Sequence, residues 1–257
     1  MPSSTSGEPP FSVWLRPERA RRDRRLSRER IVRAAVALLD AEGVRGLSMR
    51  RVAADLEVTA GSLYWYVTTK DELMELAMDE VLGEVLGEVL GEVSERGPAP
   101  EGEWRTALER MARGQRAMLL RHPWMLSDLA SQPNLGPNAL ALADAGLRLL
   151  ATAGFRDGEL DAALAAITDH VVGAVAAEIS WRTVTERTGA RAGGTADWRE
   201  RAGGFLERVA EEYPLLGRRL GAGGPVDPGA ESERRFAYAL GCLLDGLEAR
   251  RGGRPPA

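Results

Sequence analysis

The residues best equipped for chemistry in this 257-residue chain cluster between Ser48 and Lys70, and they are suited to recognition, not catalysis. Thr59, Ala60, Gly61 and Ser62 fall where a short helix would begin. The hydroxyls of Thr59 and Ser62 can donate to or accept from base edges, and the Ala60 methyl can meet a thymine methyl. Gly61 lets the backbone come close. Arg50, shortly before, carries the forked donors that read guanine, and Ser48 opens the segment that bears it. Tyr64, Trp65, Tyr66 and Lys70 can reach phosphates, which sets orientation without reading sequence. The three aromatics could instead serve a core, but three consecutive positions cannot all face inward, so Trp65 is expected to do both.

A second group of polar and aromatic residues is scattered downstream: Trp104, His122, Trp124, Asn138, His170, Glu178 and Trp181. These are candidates to line a small-molecule pocket. His170, Ala174, Ala177, Glu178 and Trp181 share one face of a predicted helix. His122 stands before Pro123 and reads equally as a helix C-cap, and His170 equally as a core residue. These two histidines lack metal-ligand spacing, so no metal and no cofactor is expected. No nucleophile-base pair is evident, and Gly193-Gly194 and Gly223-Gly224 have no strand before them to make a phosphate loop. An enzyme is not expected. Cys242, the single cysteine, excludes an intrachain disulfide and fits a reducing cytoplasmic setting. Its neighbours Leu240, Leu243 and Leu244 predict a buried thiol.

The elements that must position these residues are helices throughout. Ser27 caps a helix from Arg28 to Glu42, with Ile31, Ala34, Ala35, Leu38 and Leu39 at helical spacing and Gly43 as the stop. Ser48 caps the next, burying Val52, Ala53 and Leu56. Thr59 caps a third, with Leu63, Tyr66 and Val67 on one face. The turn Leu56-Glu57-Val58 is too short to let the last two separate, which makes a helix-turn-helix. Thr69 and Glu72 have capping-box spacing and open a long helix towards Ser94. Within it, VLGEVLGEVLGEV repeats every four residues, so its Leu-Val stripe advances about 40° per repeat. Gly83, Gly87 and Gly91 make this either a tolerated expansion on a fraying helix or a soft connecting element.

Further helices are predicted at Trp104–Leu120, Trp124–Ala130, Ala139–Ala153 (closed by Gly154), Glu159–Thr188, Trp198–Glu212, Pro214–Leu220 and Glu231–Arg250. Loops are expected at Gln132–Asn138, Gly189–Thr195 and Gly221–Ala230, and a loose tail at GGRPPA. No segment alternates like a strand. The expected fold is all-α, with a disordered basic arm (1–26), a DNA-binding domain (27–70) and a larger helical domain (71–257).

Bulk composition agrees. Residues 1–70 hold 13 Lys+Arg against 8 Asp+Glu, a balance of +5, which leaves -9 for the remainder of the -4 total. A basic front on an acidic body suits a polyanion contact at one end. Nine arginines between Arg16 and Arg33 form either a solvated helix start or an arm that reaches phosphates or the minor groove. Residues 1–15, rich in Ser, Pro and Gly, are expected to be disordered. No uninterrupted apolar run approaches membrane length, and no signal-peptide core is present.

From Leu26 to about Leu76 the chain resembles the DNA-binding head of the tetracycline-repressor (TetR) family of bacterial transcriptional regulators. The resemblance is carried by Ala34-Ala35, Leu38-Leu39, Gly43, Leu47-Ser48, Arg51-Val52-Ala53, Val58, Leu63-Tyr64, Val67, Lys70 and Leu73, with SLYWYVTTKDEL the most specific part. Two positions depart from the pattern. Glu57 stands where the family has glycine, which predicts about 1 kcal/mol of strain if that residue is left-handed. Tyr66-Val67 stands where His-Phe is commoner. Beyond Trp104, RHPW at 121–124, LGPNAL at 135–140 and LLDGLEA at 243–249 resemble the ligand-binding domain of the tetracycline-repressor branch.

That resemblance implies a homodimer that reads a near-palindromic operator in double-stranded DNA and is released when a small-molecule effector binds. The small residues Gly173, Ala174, Ala176 and Ala177, and the stripe Phe236, Leu240, Leu243, Leu244 and Leu247, suit the helix bundle of such a dimer. The alternative is a ligand-independent or protein-gated regulator, including an activator.

Overall fold

The structure, a computed structural model, describes residues 12–15, 26–96, 103–127, 134–192, 195–221 and 228–252. Every regular element among these residues is helical, as the all-α expectation requires. The chain divides by packing into two units, Met1–Thr168 and Asp169–Ala257, with the boundary inside one long helix.

In the first unit, α1 (Arg28–Gly46) starts where Ser27 Oγ accepts from the Arg30 amide at 3.2 Å. Its regular run breaks at Gly43, whose φ of 68° glycine adopts without a Cβ clash. α2 (Met49–Asp55) is capped by Ser48, whose Oγ accepts from Arg51 N at 3.3 Å. α3 (Ala60–Leu63) is a single turn, prolonged by the amides of Tyr66 and Val67 donating back to Leu63 O. Ile31, Ala35, Leu38, Leu39, Val52, Ala53, Leu63 and Val67 are buried together in this three-helix head. Each fully buried Leu, Ile or Val contributes about 1.5–3 kcal/mol.

α4 (Lys70–Arg96) begins with the expected capping box: Glu72 N donates to Thr69 Oγ1 at 3.0 Å. The Glu72 carboxylate reaches back one residue further than a capping box requires, accepting from the Thr68 amide at 2.9 Å. Leu73, Ala77, Val81 and Val85, four residues apart, are buried where α1, α5 (Trp104–Arg121) and α6 (Pro137–Thr152) pack on α4. In the glycine repeat, a Cβ at Gly83 would stand 3.0 Å from Asn138 Nδ2, whereas one at Gly87 would meet nothing. Gly83 therefore has a packing reason and Gly87 has none. α6 ends at Thr152, and Gly154 follows with φ 95°, the expected stop.

Three expectations need correction here. The disordered segment expected over 1–15 contains an ordered 3-10 turn at Val13–Leu15. Ser12 and Val13 are buried against α4, where Val13 N donates to Glu75 Oε2 at 2.9 Å and the Ser12 hydroxyl also reaches Glu75. The helix expected from Trp124 to Ala130 is a 3-10 turn, Pro123–Ser127, within the described residues. The loop expected at Gly189–Thr195 is mostly helical, since α7 (Gly158–Ala192) runs on and α8 (Thr195–Glu212) starts at once. The arginines from Arg16 to Arg25, the centre of the Gly221–Ala230 loop and the tail from 253 lie outside the described residues.

In the second unit, α8 and α9 (Pro214–Gly221) pack on each other at Gly217, where a Cβ would overlap Ala210. His170 of α7 stacks on Phe236 of α10 (Pro228–Gly252), with centroids 5.1 Å apart and planes at 12°. Val171, Val175, Phe236, Leu240 and Leu244 are buried. Cys242 is exposed, contrary to expectation, because Leu240 and Leu244 define the inward stripe and position 242 lies half a turn off it. The stretch Gly158–Val184 is long and apolar enough to cross a bilayer, with mean hydropathy 1.5, yet Asp161, Asp169 and Glu178 interrupt it. Only 28% of its most apolar window is buried within one subunit.

Candidate functional site

The turn between α2 and α3 sets how the recognition residues are presented. Leu56 closes α2, and Glu57 takes φ 56°, so the left-handed position foreseen for it is real. Val58 N donates to Ala53 O at 2.9 Å and holds α3 across the end of α2. Thr59 occupies the N-cap in extended conformation, but its hydroxyl pairs with Ser62 Oγ at 2.9 Å instead of a backbone amide. The pair is exposed, and either hydroxyl can be donor. Thr59 and Gly61 are exposed, and Ala60 and Ser62 half-buried.

Leu63 and Val67 take the inward positions, and Tyr64 and Trp65 between them are turned away from the core. Tyr64 is 49% and Trp65 67% exposed, with Tyr66 half-buried. Tyr64 and Trp65 are therefore not core residues, whereas Tyr66 is partly covered. Trp65 makes contacts within the chain, yet most of its indole is presented outward. Lys70, also exposed, donates from Nζ to Val44 O at 3.0 Å, which fixes its stem beside α1.

Adjacent arginines on α2 behave differently. Arg51 is drawn back to Glu42 of α1 in a forked pair. That hydrogen bonding holds the Glu42 carboxyl below its ordinary value. Arg50 is exposed and takes no part in this pair. Ser48 is half-buried, with its hydroxyl engaged in the cap.

Of the downstream candidates, Trp104, His122, Trp124 and Asn138 belong to the first unit and His170, Glu178 and Trp181 to the second. Trp104 is buried edge-on against Phe155, centroids 5.9 Å apart. His122 is the C-cap of α5, as one reading held, with its backbone amide donating to Met118 O at 2.9 Å. Its ring and the indole of Trp124 both turn to α1: His122 Nδ1 and Trp124 Nε1 each lie 2.7 Å from Asp40 Oδ1. A cleft of about 450 Å³ opens beside them, lined by Leu39, Asp40, Gly43, Val44, Pro123 and Trp124.

Asn138 binds Asp79 of α4, and the Ala139 amide donates to Asp79 Oδ1 at 3.0 Å. In the second unit His170 Nε2 donates to Phe236 O at 3.2 Å, which selects the tautomer with the proton on Nε2. Glu178 is buried and paired with Arg182 on its own helix, and Trp181 is 59% exposed.

Asp40, Asp79 and Glu84 escaped the sequence reading. Each is one acidic residue among many on its helix, and no local spacing marks it. Gln115 escaped it too. It continues the inward row Trp104, Leu108, Met111 and Met118 of α5, and its Oε1 is buried without a hydrogen-bond partner. An amide in an apolar row is a signal the sequence did contain. No group of three His, Cys, Asp or Glu residues that could hold a metal occurs among the described residues.

Comparison with known proteins adds the following. Residues 31–77 match the model of bacterial regulatory proteins of the tetR family. Residues 97–251 match that of the tetracyclin repressor-like C-terminal domain. A helix-turn-helix (HTH)-type transcriptional regulator of Saccharopolyspora erythraea is 38% identical over 97% of both chains. The HTH-type transcriptional repressor DrrR1 of Streptomyces coeruleorubidus is 37% identical over 90% of this chain and 82% of its own. The crystal structure of the TetR family protein ActR of Streptomyces coelicolor in complex with actinorhodin has a TM-score of 0.66 at 30% identity. It covers 88% of this chain and 99% of ActR.

Proposed function

Since the chain belongs to the TetR family of bacterial transcriptional regulators, we propose that it is a repressor that leaves its operator when a small molecule binds downstream of the head. That it is a DNA-binding regulator follows from the family; release by an effector is the further step. The observation that carries the DNA contact is the division of labour around α3. Leu63 and Val67 hold the core, while Thr59, Gly61, Tyr64 and Trp65 are displayed outward.

In this reading Thr59, Ala60, Gly61 and Ser62 enter the major groove, with Arg50 reading a guanine. Ser48, Tyr64, Trp65, Tyr66 and Lys70 bind the phosphate backbone. Residues 27–70 act as the reading domain and 71–257 as the sensing and pairing domain.

A homodimer would supply two heads for a near-palindromic operator. Support comes from the largely uncovered apolar stretch Gly158–Val184, where Gly173, Ala176 and Ala177 are exposed. On α10, Tyr238 is exposed and Cβ atoms at Gly241 and Gly246 would meet nothing.

Repression is supported by DrrR1, named a transcriptional repressor, and effector binding by three relatives named tetracycline repressor proteins and by ActR, solved in complex with actinorhodin. Within this chain, the unpaired Gln115 carbonyl in the apolar row of α5 is the polar group such a ligand would satisfy. It also favours a small ligand over gating by a protein.

The test begins with a duplex selected from random sequence by the full-length chain. Its affinity is then followed by fluorescence anisotropy against tetracycline, actinorhodin and a collection of drug-like compounds. An effector should weaken binding by roughly 5–150-fold. Affinity unchanged by every compound would overturn release by a ligand, and failure to select any duplex would overturn the DNA contact.

A further inference from the structure

His122 stands where three helices meet. It follows the last turn of α5 and is 7% exposed. Its Nδ1–H donates to Asp40 Oδ1 of α1 at 2.7 Å, and its Nε2 lies 3.4 Å from Glu84 Oε1 of α4. Trp124 Nε1 donates to the same Asp40 oxygen at 2.7 Å, and Arg121 donates to Glu84 Oε2 at 2.6 Å. The end of α5 is thereby tied to α1 just before its break at Gly43, and α1 packs in turn on α2.

Hydrogen bonds to a charged acceptor are the stiff element of such a junction. They weaken steeply once the heavy atoms part beyond about 3.5 Å, whereas apolar contacts tolerate sliding. A displacement of the end of α5 by an ångström must therefore either break both bonds to Asp40 or carry α1 with it. A second route from α6 to the head runs through Asp79 on α4. The two routes share no residue, so mutation can separate them.

We propose that His122, acting through Asp40 with Trp124 as the second donor, is the positioning residue that couples α5 to the orientation of the head. This rests on the DNA-binding reading above and assigns its regulation to a named junction. Coupling is reciprocal: if the end of α5 biases the head, duplex bound at the head must alter the end of α5.

The probe is the duplex selected by the wild-type chain, and the readout is amide hydrogen exchange over the last turns of α5 with and without it. In the wild type, duplex should slow exchange there by about five-fold or more. H122A and D40A should lose that response while still binding duplex and melting as single cooperative units. H122N, whose amide nitrogen can take the place of Nδ1, should keep it, and D79N, on the other route, should not abolish it. Where H122A or D40A fails to fold, W124F, which removes one donor and keeps an aromatic ring, should reduce the response. A wild-type chain whose α5 ignores duplex, or a response that persists in H122A and D40A (or in W124F where it stands in for them), would overturn the proposal. A chain that selects no duplex fails earlier, at the DNA-binding reading itself.

Discussion

Asn138 and Asp79, 59 positions apart, are joined by two hydrogen bonds, both donated by Asn138: its Nδ2 donates to the Asp79 main-chain carbonyl at 3.0 Å, and its backbone amide donates to Asp79 Oδ2 at 3.4 Å. With the Ala139 amide on Oδ1, Asp79 serves as the N-terminal cap of α6, although it belongs to α4. Gly136 makes room for it, since a Cβ there would overlap the Asp79 carboxylate. Its φ of -66° suits any residue, so space alone requires the glycine.

The same contact separates the repeat glycines. Gly87→Ala should stabilise the chain by about 1 kcal/mol, the helix-propensity difference with nothing in the way. Gly83→Ala should gain little or nothing, because its methyl pushes the Asn138 amide off Asp79. Thermal unfolding of the two variants side by side checks this; equal gains would mean the α4–α6 approach is looser than it looks.

Stability should depend on the ionisation of Asp79. Burial raises its carboxyl above the ordinary value, against the hydrogen bonds from Ala139 and Asn138 and with help from the Glu75 charge. A folded-state value above the unfolded one stabilises the fold fully below the unfolded value, and that contribution is lost as pH rises through the folded value. Melting temperature followed upward from the acid side of the ordinary aspartate range should show this decline. Asp79→Asn should flatten it, at about 1 kcal/mol of lost hydrogen bonding.

Glu57 holds φ 56° in the turn of the reading head. Replacing it with glycine relieves a left-handed side chain and should raise stability by up to about 1 kcal/mol, after the extra freedom glycine gives the unfolded chain. Denaturant midpoints at constant slope measure it. A loss of stability would show that the Glu57 side chain makes a contact worth more than the strain.

Arg50 and Lys70 should fail in different ways on the selected duplex. Arg50→Ala should cost about 1–3 kcal/mol and relax the preference for one base pair. Lys70→Ala should weaken all sequences alike and reduce the salt slope by about one ion. Trp65→Ala should also weaken all sequences alike but leave the salt slope unchanged, since an indole neutralises no phosphate, and cost no stability, since 67% of the residue is exposed. A change of base preference in Lys70→Ala would reverse the assigned roles.

What was legible without coordinates was local. Ser27, Ser48 and Thr69 cap the helices they precede, Gly43 and Gly154 interrupt or end theirs, and the strain at Glu57 was foreseen from the glycine that the resembling family carries at that position. All are matters of neighbouring residues, where a hydroxyl reaches an amide three positions on or a φ is set by one Cβ. Burial followed helical spacing at Leu63 and Val67, which in turn sent Tyr64 and Trp65 outward, but Leu56 and Tyr66, expected on the same inward faces, are only half-buried.

Tertiary structure decided everything that depends on which helices meet. His122 and Trp124 drew notice as polar and aromatic types, but the group that fixes both rings is Asp40, 82 and 84 positions away. Ser12 and Val13 sit in a polar segment that composition marks as loose, and two bonds to Glu75, 62 and 63 positions on, order them. Cys242 has leucine neighbours in sequence but lies off the inward stripe. A side chain's polarity, spacing and capping reach are properties of the chain itself. Whether a carboxylate finds an imidazole or an indole across two helices depends on how those helices pack, and no short-range pattern encodes it.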